Sequence, residues 1–585
     1  MGSMTAADVL IQTLINWRVD TVFGIPGDGV NGVIEAFRRR REEIRFVQTR
    51  HEEAAAFMAC GYAKWTGKLG VCVATSGPGG IHLLNGLYDA KLDGQPVLAI
   101  TGLQFHDLVD THTQQDVELD KLFMDVTVYN ARVMGAAHVE NVAELAIRTA
   151  LARRGVAHIT LPVDIQDEPL AKDLRSKRNV AHHASEVRAG ARPRPIEAEL
   201  DRAADVLNGC SKPFILAGRG ALGCHRALGA VADRLGAPVG KALLGKGALA
   251  DDHPNCTGGV GLLGTKPSQE ALEGCDGLLI VGSSFPYIEF YPKPGAAKAV
   301  QIELAPERVG LRYPVEVGLV GDCETTLDLL LPKLQHRQDR GFLEKAQKAV
   351  AEWLALMEDR GTVQDKPMKP QVVAHELNKL LANDAIVATD SGTVTTWIAR
   401  HFMMRETQMF SCSGNLATMA CGLPYAIAAA IAHPERQVVA FVGDGALTML
   451  IGEFATCVKY GLNVKVVVIK NNTLGQIKWE QMVFLGNPEY VCDLQPIDFA
   501  AVARGFGVAG YRIEDPAECA AVLRQALETP GPALVEAVVD PNEPPMPPKI
   551  TYEQAKHFAE ALARGTPNRG EVLRTVARDR IRELI

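Results

Sequence analysis

The sequence lacks the features of secreted, disulfide-bonded and membrane-spanning proteins. Its twelve cysteines form no Cys-x-x-Cys pair, and some lie in apolar segments such as residues 71–73. They predict buried, reduced thiols and argue against a disulfide framework or a zinc site. No apolar run approaches the ~20 residues that a membrane helix needs, and the N-terminus lacks the basic start and apolar stretch of a signal peptide. We therefore expect a cytoplasmic protein.

An excess of positive charge is also absent. The chain has 61 Lys and Arg against 69 Asp and Glu, which gives a net charge of −8. This balance gives no reason to expect nucleic acid or an anionic membrane as the main partner. Aromatic residues make up only 6% of the chain, while the hydrophobic fraction of 47% is typical of a globular protein. The expected partner is a small molecule.

The sequence does have a regular alternation of short apolar strands and helical segments, separated by many of its 54 glycines. This pattern predicts an α/β fold of doubly wound parallel sheets. A length of 585 residues predicts three or four domains. We place them at residues 4–168, 196–334 and 370–540, followed by a C-terminal helical tail at 541–585. The basic stretch between the first two is interpreted as a solvated surface linker.

A Gly-Asp-Gly turn at residues 443–445 follows the apolar strand 438–442. Helical periodicity then covers 446–460, and the next strand, 464–469, leads to Asn471. In a doubly wound sheet, ligands bind outside the carboxyl ends of the strands, where helix N-termini face anions. A carboxylate and an amide oxygen at neighbouring strand ends suit Mg²⁺ or Ca²⁺ holding a diphosphate. A Gly-Asp-Gly turn alone is weak, because Asp-Gly is ordinary turn chemistry.

In its full context this unit resembles the metal–diphosphate motif of thiamine-diphosphate enzymes. The resemblance implies a pyrimidine-binding first domain, an FAD-type central domain and a diphosphate-binding third domain. It also implies three Mg²⁺ ligands, namely the side chains of Asp444 and Asn471 and the backbone carbonyl of Thr473. The residues that it places against the diphosphate are Gly443, Gly445, Ala446 and Leu447.

Glu52 and Glu53 begin a helix rich in small residues, after Arg50 and His51. Two glutamates at a helix N-terminus have an ordinary explanation, since they favour the positive end of the helix dipole. The segment also resembles the Arg-His-Glu stretch that supplies the cofactor-activating glutamate of thiamine-diphosphate enzymes. That resemblance assigns to Glu52 proton sharing with N1′ of the aminopyrimidine, a role favoured by apolar surroundings that raise a carboxyl pKa.

Residues 76–90 give the most specific resemblance, to the pyruvate-oxidase branch of the family. It implies His82 in the active site. Residues 113–116 align with the family's Phe-Gln-Glu segment and imply Gln115 there, with Gln114 standing where the family has an aromatic residue. In the same way Glu480 is implied as a catalytic carboxylate, although its neighbour Trp479 is more typical of acetolactate synthases. The resemblance places further residues against the cofactor, namely Pro26, Gly27, Asn85, Thr393, Leu416, Met419 and Ile477. Met419, with Leu416 as the alternative, would bend the cofactor.

The central domain bears on whether a flavin takes electrons from the enamine intermediate of the reaction. In their order and amino-acid sequence, its glycine-rich segments resemble the FAD-binding domain of bacterial pyruvate oxidases. The residues implied for FAD are Gly218, Gly220, Ser283, Phe285, Glu303 and Asp322. One departure is Ala305, which replaces the second acid of the family's acidic pair. Acetolactate synthases also hold FAD without redox use, so bound flavin alone does not prove an oxidase.

The resemblance implies decarboxylation of a 2-oxo acid, with pyruvate favoured, on thiamine diphosphate and Mg²⁺. FAD would oxidise the enamine intermediate, giving acetyl phosphate or acetate and CO₂, with O₂ or a quinone as oxidant. The alternatives are an acetolactate-synthase-like carboligase and a non-catalytic binding or regulatory member. The family forms its site between subunits, which implies a homodimer or homotetramer. For the final stretch, residues 571–585, a surface-packed helix is favoured over peripheral membrane contact, since its apolar stripe is narrow and lacks aromatic anchors.

Overall fold

The computed structural model describes residues 4–170, 176–179, 192–405, 407–545 and 552–584, with side chains described as far as residue 578. Parts of the predicted linker and of the C-terminal tail lie outside these residues. Within the described residues, no helix is long and apolar enough to cross a membrane. All twelve cysteines are buried free thiols.

The first domain contains a parallel sheet, whose strands are β1 (Thr21–Gly24), β2 (Arg45–Gln48), β3 (Gly70–Ala74), β4 (Val97–Leu103), β5 (Thr127–Arg132) and β6 (Val156–Pro162). Their spatial order is β2-β1-β3-β4-β6-β5. The central strands β3 and β4 are buried along their whole length, as their continuous apolar sequences predict. The flanking helices are α1 (Ala6–Asn16), α2 (Asn31–Arg39), α3 (Glu52–Thr66), α4 (Pro78–His82), α5 (Leu84–Leu92), α6 (Leu119–Leu122), α7 (Ala136–Arg153) and α8 (Val163–Gln166).

The central domain contains a second parallel sheet, formed by β7 (Pro213–Ala217), β8 (Val239–Lys241), β9 (Cys256–Gly259), β10 (Gly277–Val281), β11 (Lys298–Glu303) and β12 (Val317–Val320). The spatial order β12-β11-β10-β7-β8-β9 is the 3-2-1-4-5-6 order of dinucleotide-binding sheets read from the opposite edge. Its helices are α9 (Glu197–Asn208), α10 (His225–Leu235), α11 (Lys266–Gly274) and α12 (Cys323–Leu330), and the connector helix α13 (Gly341–Gly361) follows.

The third domain repeats the strand order of the first. Its strands are β13 (Ile386–Thr389), β14 (Met409–Ser411), β15 (Val438–Gly443), β16 (Val464–Lys470), β17 (Ala509–Ile513) and β18 (Ala533–Val538). They pair in parallel in the order β14-β13-β15-β16-β18-β17. The helices are α14 (Pro370–Leu380), α15 (Thr393–His401), α16 (Gly422–Ala432), α17 (Asp444–Met449), α18 (Phe454–Lys459), α19 (Gly475–Val483), α20 (Phe499–Gly505) and α21 (Cys519–Glu528), with α22 (Tyr552–Ala563) and α23 (Arg569–Leu584) in the tail.

Three parallel sheets with flanking helices confirm the predicted fold class. The residues at which the domains begin and end stay predictions. The helix expected over 446–460 differs from the prediction. It begins two residues earlier and breaks at Leu450, so that α17, a 3-10 turn (Ile451–Glu453) and α18 replace one helix. The break is accompanied by hydrogen bonds that the Glu453 carboxylate accepts from two backbone amides of the first domain.

One hydrophobic core is shared by the first and third domains, where α3 packs against α16. The contact is close because both helices present alanines, and because Gly61 lies against Tyr425. A methyl group added at Gly61 would lie 2.9 Å from the ring of Tyr425. The indole Nε1 of Trp65 donates to the Tyr425 carbonyl oxygen over 2.9 Å. The two domains therefore form one packed unit within the chain.

The packing of α5 on α3 gives a test of the fold. A methyl group added at Gly86 would lie 2.6 Å from the Cβ of Ala56 and 2.7 Å from the nitrogen of Phe57. We expect Gly86→Ala to lower the free energy of unfolding by about 2 kcal/mol through overpacking, despite the better helix propensity of Ala. Gly505→Ala, in α20, is the matched control, because no atom lies within 4 Å of its added methyl group. Thermal unfolding in which both variants match the parent protein would contradict this packing.

Candidate active site

The predicted site residues cluster where the strand order of each sheet reverses. In the first and third sheets this switch point lies between the first and third strands of the domain, β1 and β3 or β13 and β15. In the central sheet it lies between β7 and β10. Ligands of doubly wound sheets bind outside the carboxyl ends of the strands at such points. The three switch points therefore define three candidate subsites.

At the first switch point, the turns after β1 and β3 pack directly on each other. A methyl group on Gly27 would lie 2.6 Å from the Cβ of Thr75, so the Pro26–Gly27 turn leaves no room for a larger residue. Ser76 Oγ donates to Gln115 Oε1 over 2.7 Å. Gly77 has φ +59°, and a methyl group there would lie 2.8 Å from Gln115 Cβ. The structure thus brings Gln115 onto the turn after β3.

Glu52, His51 and His82 form a compact group beside this turn. Glu52 begins α3 with a side chain only 13% exposed, and its Oε2 lies 3.0 Å from Nδ1 of His82. The His51 and His82 rings stack with centroids 4.6 Å apart. One ligand atom from each residue lies within 4.8 Å of the other two. The sequence predicted Glu52 and His82 separately but gave no signal for their direct contact or for His51 as a neighbour.

Asn85, one turn further along the chain than His82, points to the third domain. Its Nδ2 donates to Glu53 Oε1 over 2.6 Å and to Thr418 Oγ1 over 3.1 Å. Glu53 is therefore tied to a structural contact, while Glu52 stays next to His82. The two glutamates, although adjacent in the chain, thus have separate side-chain partners.

Asp444 lies at the third switch point with only 6% of its surface exposed. Its two oxygens accept hydrogen bonds from the backbone amides of Gly445 (2.9 Å) and Asn472 (2.7 Å). Burial raises the pKa of this carboxyl, and backbone amides are the groups that lower it. A buried carboxylate that is held by neutral amides is suited to a divalent cation, which would offset its desolvation. The residues present therefore fit Mg²⁺.

The loop after β16 supplies the other oxygen atoms. Asn471 Oδ1 accepts from the amide of Thr473 over 3.1 Å, and the Thr473 carbonyl accepts from the amide of Gly475 over 2.8 Å. Each oxygen retains a second lone pair for a metal ion. Asn472 has φ +52°, a left-handed conformation that Asn tolerates better than most residues. Asp444, Asn471 and Thr473 are thus neighbours, and their role as metal ligands stays a prediction.

Open space lies above the Gly443 turn. Methyl groups added at Gly443 or Gly392 would meet no atom within 4 Å. Around this space, Thr393 and Asn471 lie on either side of Gly475, at 3.2 and 3.1 Å from the position of its missing Cβ. The Cε of Met419 lies 3.5 Å from the corresponding position at Gly445. The first turn of α17 contributes buried Ala446 and Leu447, and Leu416 is half-buried. These residues lie near the carboxyl ends of β13, β15 and β16, the edge at which a doubly wound sheet binds ligands such as a diphosphate.

The predicted site residues on α19 contact mainly their own helix and not the other predicted site residues. Glu480 accepts a hydrogen bond from Gln476 of the same helix over 2.9 Å, and Ile477 is 45% exposed. Trp479 is buried against Phe558 of the tail helix α22. Among the described contacts, none joins Glu480 or Ile477 to Glu52 or His82. Their predicted roles stay predictions.

Two further buried carboxyls lie near the predicted site residues. Glu453 accepts from the amides of Arg50 (2.8 Å) and His51 (3.1 Å), and burial raises its pKa. It ties the segment after α17 to the residues that precede Glu52. Asp390 accepts from the amide of Gly422 over 2.9 Å, and burial raises its pKa to about 6. A Glu in a helical pattern carries no sequence signal for such a contact across domains.

The switch point of the central sheet is formed by crossing glycine turns. A methyl group on Gly218 would lie 2.4 Å from the Gly282 carbonyl oxygen, and the Gly220 amide donates to that oxygen over 2.9 Å. Ser283 follows, and its Oγ accepts from the amide of the buried Phe285 over 3.3 Å. Such turns let a ligand approach the backbone closely, so this edge fits a dinucleotide.

The two acidic residues predicted for the central domain lie at neighbouring strand ends. Glu303 ends β11, and its Oε1 accepts from the amide of Leu304 over 2.9 Å. Asp322 caps α12, where its Oδ1 accepts from the amide of Thr325 over 3.0 Å. Both carboxyls are therefore partly engaged by local backbone contacts.

Comparison with known proteins agrees with this geometry. Three family models match the chain, namely the thiamine pyrophosphate enzyme N-terminal TPP binding domain (residues 4–122), central domain (200–330) and C-terminal TPP binding domain (390–537). The chain therefore belongs to the thiamine pyrophosphate enzyme family.

Individual relatives cover nearly the whole chain. It is 41% identical over 562 residues to the protein named "Putative thiamine pyrophosphate-containing protein YdaP" of Bacillus subtilis (strain 168), which spans 96% of each chain. It is 31% identical over 561 residues to a pyruvate oxidase of Lactiplantibacillus plantarum, with 95% of this chain and 92% of that one covered. An acetolactate synthase large subunit of Parasynechococcus marenigrum is 30% identical over 572 residues, covering 93% and 90%. Both branches of the family are thus represented among its relatives.

The raised pKa of Asp390 predicts a pH-dependent stability. Between the ordinary carboxyl value of 3.8 and its own value of about 6, the folded protein binds more protons at this group than the unfolded chain does. Its stabilising contribution is therefore complete below pH 4 and is lost as the pH rises through 6. Asp390→Asn should raise the free energy of unfolding by about 2–3 kcal/mol at pH 7.5 and by little at pH 4.

Asp515→Asn serves as a control without a slope in this range. A hydrogen bond from Lys366 lowers the pKa of Asp515 below 3.8, so its stabilising contribution is lost only at more acidic pH, and this replacement should destabilise the protein by nearly the same amount at pH 7.5 and at pH 4. Thermal unfolding of both variants across this range measures the two slopes. An Asp390→Asn variant that follows the parent protein at every pH would mean that Asp390 titrates normally.

Proposed function

We propose that this protein is a thiamine-diphosphate- and Mg²⁺-dependent decarboxylase of 2-oxo acids, with pyruvate favoured, that passes electrons to FAD. The products are CO₂ and acetyl phosphate or acetate, with O₂ or a quinone as the final oxidant. The observation that carries the FAD part of the proposal is the central sheet. Its strand order is that of dinucleotide-binding domains, and its glycine turns cross at the switch point. The pyruvate oxidase among the relatives favours the use of FAD as an oxidant.

Thiamine diphosphate, when bound, supplies a carbanion at C2 of the thiazolium and an electron sink for decarboxylation. Asp444, Asn471 and the carbonyl of Thr473 would hold the Mg²⁺ that carries the diphosphate. The backbone from Gly443 to Leu447 would meet the phosphate oxygens, and Thr393 would lie across the cleft. Met419 would support the thiazolium ring and fix the bend of the cofactor, with Leu416 as the alternative.

Glu52 would hold a proton at N1′ of the aminopyrimidine. Its low exposure and its contact with His82 support this role, because few water molecules compete for the carboxyl. His82 and Gln115 flank the same turn and would orient the carboxylate of the 2-oxo acid. Glu480 is proposed as a further proton carrier, and Ile477 as an apolar wall. In this family the first domain of one subunit faces the third domain of its partner, so we propose a dimer or tetramer.

In the central domain, Gly218, Gly220 and Ser283 would approach the diphosphate of FAD. Phe285 lies in a cluster of aromatic rings, with its ring centroid 5.7 Å from that of Tyr291. It would provide an apolar wall for the flavin. Glu303 and Asp322 would bind ribose or ring edges through their remaining oxygens. A carboligase is the second candidate. It is favoured by the likeness to acetolactate synthase and by the Trp479-Glu480 pair.

An anaerobic visible spectrum tests the proposal directly. The protein, supplied with FAD, Mg²⁺ and thiamine diphosphate, is measured before and after addition of pyruvate. We expect the flavin absorption to bleach as two electrons arrive. Bound flavin that stays oxidised while acetolactate or acetoin forms would favour the carboligase. No bound flavin would leave the central domain without the proposed redox role.

Glu52→Gln tests the proton carrier. We expect turnover to fall at least 10²-fold, in the range typical for loss of a positioned acid–base group, while thiamine diphosphate still binds. Glu53→Gln is the matched control, because its side chain contacts Asn85 and not His82. Hydrogen–deuterium exchange at C2 of the added cofactor, measured by NMR, isolates the removal of the C2 proton from the later steps. Equal exchange rates in the two variants would exclude the role assigned to Glu52.

A further inference from the structure

The segment of residues 413–420, here called the anchored loop, connects β14 to α16 and carries Leu416, Thr418 and Met419. Ala417 has φ +55° and Ala420 has φ +76°. Residues with a Cβ rarely adopt these left-handed conformations, and neither position is a glycine. Contacts from outside the loop must therefore hold it in this form.

Asp93 of the first domain provides the strongest of these contacts. Its carboxylate accepts from the backbone amides of Gly414 (3.0 Å) and Asn415 (2.9 Å) and from Nδ2 of Asn415 (3.0 Å). Lys64, equally buried, pairs with it at 2.7 Å and donates to the Cys412 carbonyl at 2.6 Å. Asp93 follows the last residue of α5, where the helix dipole disfavours a negative charge. Its position is therefore explained by the loop and by Lys64, and not by the helix.

A second contact comes from the same face of α5. Asp89 accepts from Ser413 Oγ over 2.7 Å, and Ser413 Oγ in turn accepts from the amide of Thr418 over 3.0 Å. Asn85 donates to Thr418 Oγ1 over 3.1 Å. Asn85, Asp89 and Asp93 are spaced by four residues, which places them on one side of the helix. One helix face of the first domain thus binds both ends of the anchored loop.

We propose that Asp89 and Asp93 are positioning residues that hold the anchored loop in its strained form and thereby direct Met419 towards the Gly445 turn. The proposal rests on the proposed function, because it assumes that the anchored loop supports the cofactor. It goes beyond that function because neither carboxylate touches the predicted cofactor positions. The first domain then contributes to the diphosphate cleft of its own chain.

The test uses the full-length protein without cofactor and follows amide hydrogen–deuterium exchange by mass spectrometry. We expect Asp93→Asn to speed exchange in peptides that contain residues 413–420 by about tenfold, as loss of charge-assisted hydrogen bonds implies, with smaller changes elsewhere. Ala417→Gly placed in the Asp93→Asn background should reverse part of this effect, because glycine adopts positive φ without strain. The same Ala417→Gly change alone should alter the exchange less than twofold.

Asp93→Asn leaves Lys64 without its carboxylate, so Ser413→Ala is the second variant. It keeps the Lys64–Asp93 pair and removes only the link between Asp89 and Thr418. With Mg²⁺, thiamine diphosphate and pyruvate, we expect it to lower kcat by about tenfold and to change KM less than threefold, as misplacement of a cofactor group predicts.

Two outcomes would overturn the proposal. One is exchange of the anchored loop in both variants at the parent rate. The other is a uniform rise of exchange over the whole protein with kcat per folded molecule unchanged, which indicates a merely structural role. Failure of the proposed function is seen separately, as a parent protein that does not decarboxylate 2-oxo acids, and it leaves the exchange result standing.

Discussion

The packing of α3 on α16 is the constraint on which the rest of the site depends. Glu52 is the first residue of α3, and the anchored loop ends just before α16 begins. Small residues along both helices allow a close approach, and the Gly61–Tyr425 contact leaves no space for a shift. Because helices are stiff, this contact fixes the start of α3 relative to the anchored loop of the same chain. A looser interface would misplace these two segments relative to each other.

Polar contacts at the edges of this interface fix how the two domains are positioned on their apolar contact. Glu453 binds the amides just before Glu52, and Asp93 binds the amides just before Leu416. In each case a buried carboxylate from one domain receives backbone N–H groups of the other. Hydrogen bonds of this kind have strict geometry, whereas apolar contact alone permits sliding. Glu52 and the anchored loop are thus flanked by contacts that fix their positions.

Much of the fold was predictable from the sequence because it depends on local patterns. Continuous apolar strands such as β4 and β16, and the turns that end them, mark parallel sheets without any knowledge of their neighbours. The Gly-Asp-Gly turn and Asn471 were found for the same reason, since both follow buried strands. Resemblance to a family then supplied roles that periodicity could not.

The contacts that join distant segments were not predictable in this way. Nothing around Glu453 distinguishes it from a solvated helical glutamate, and its role appears only when the broken helix turns it towards Arg50. The left-handed Ala417 and Ala420 contradict the local preference of alanine. Their conformation is set by partners more than 300 residues earlier in the chain, such as Asp89 and Asp93. Sequence reasoning fails where tertiary contacts override local preference, and here those positions surround the cleft.

The same reasoning extends to the boundary between the central and third domains. Asp251 pairs with Lys241 at 2.7 Å and with Lys246 at 3.3 Å, and it accepts from the amide of Met404 over 2.8 Å. Lys246 also donates to the Ala399 carbonyl of the third domain over 3.0 Å, so this buried ion cluster of the central domain is tied to two backbone groups of the third. The oxidase proposed above would need a fixed separation between its thiamine and flavin sites, which these contacts between the central and third domains would supply.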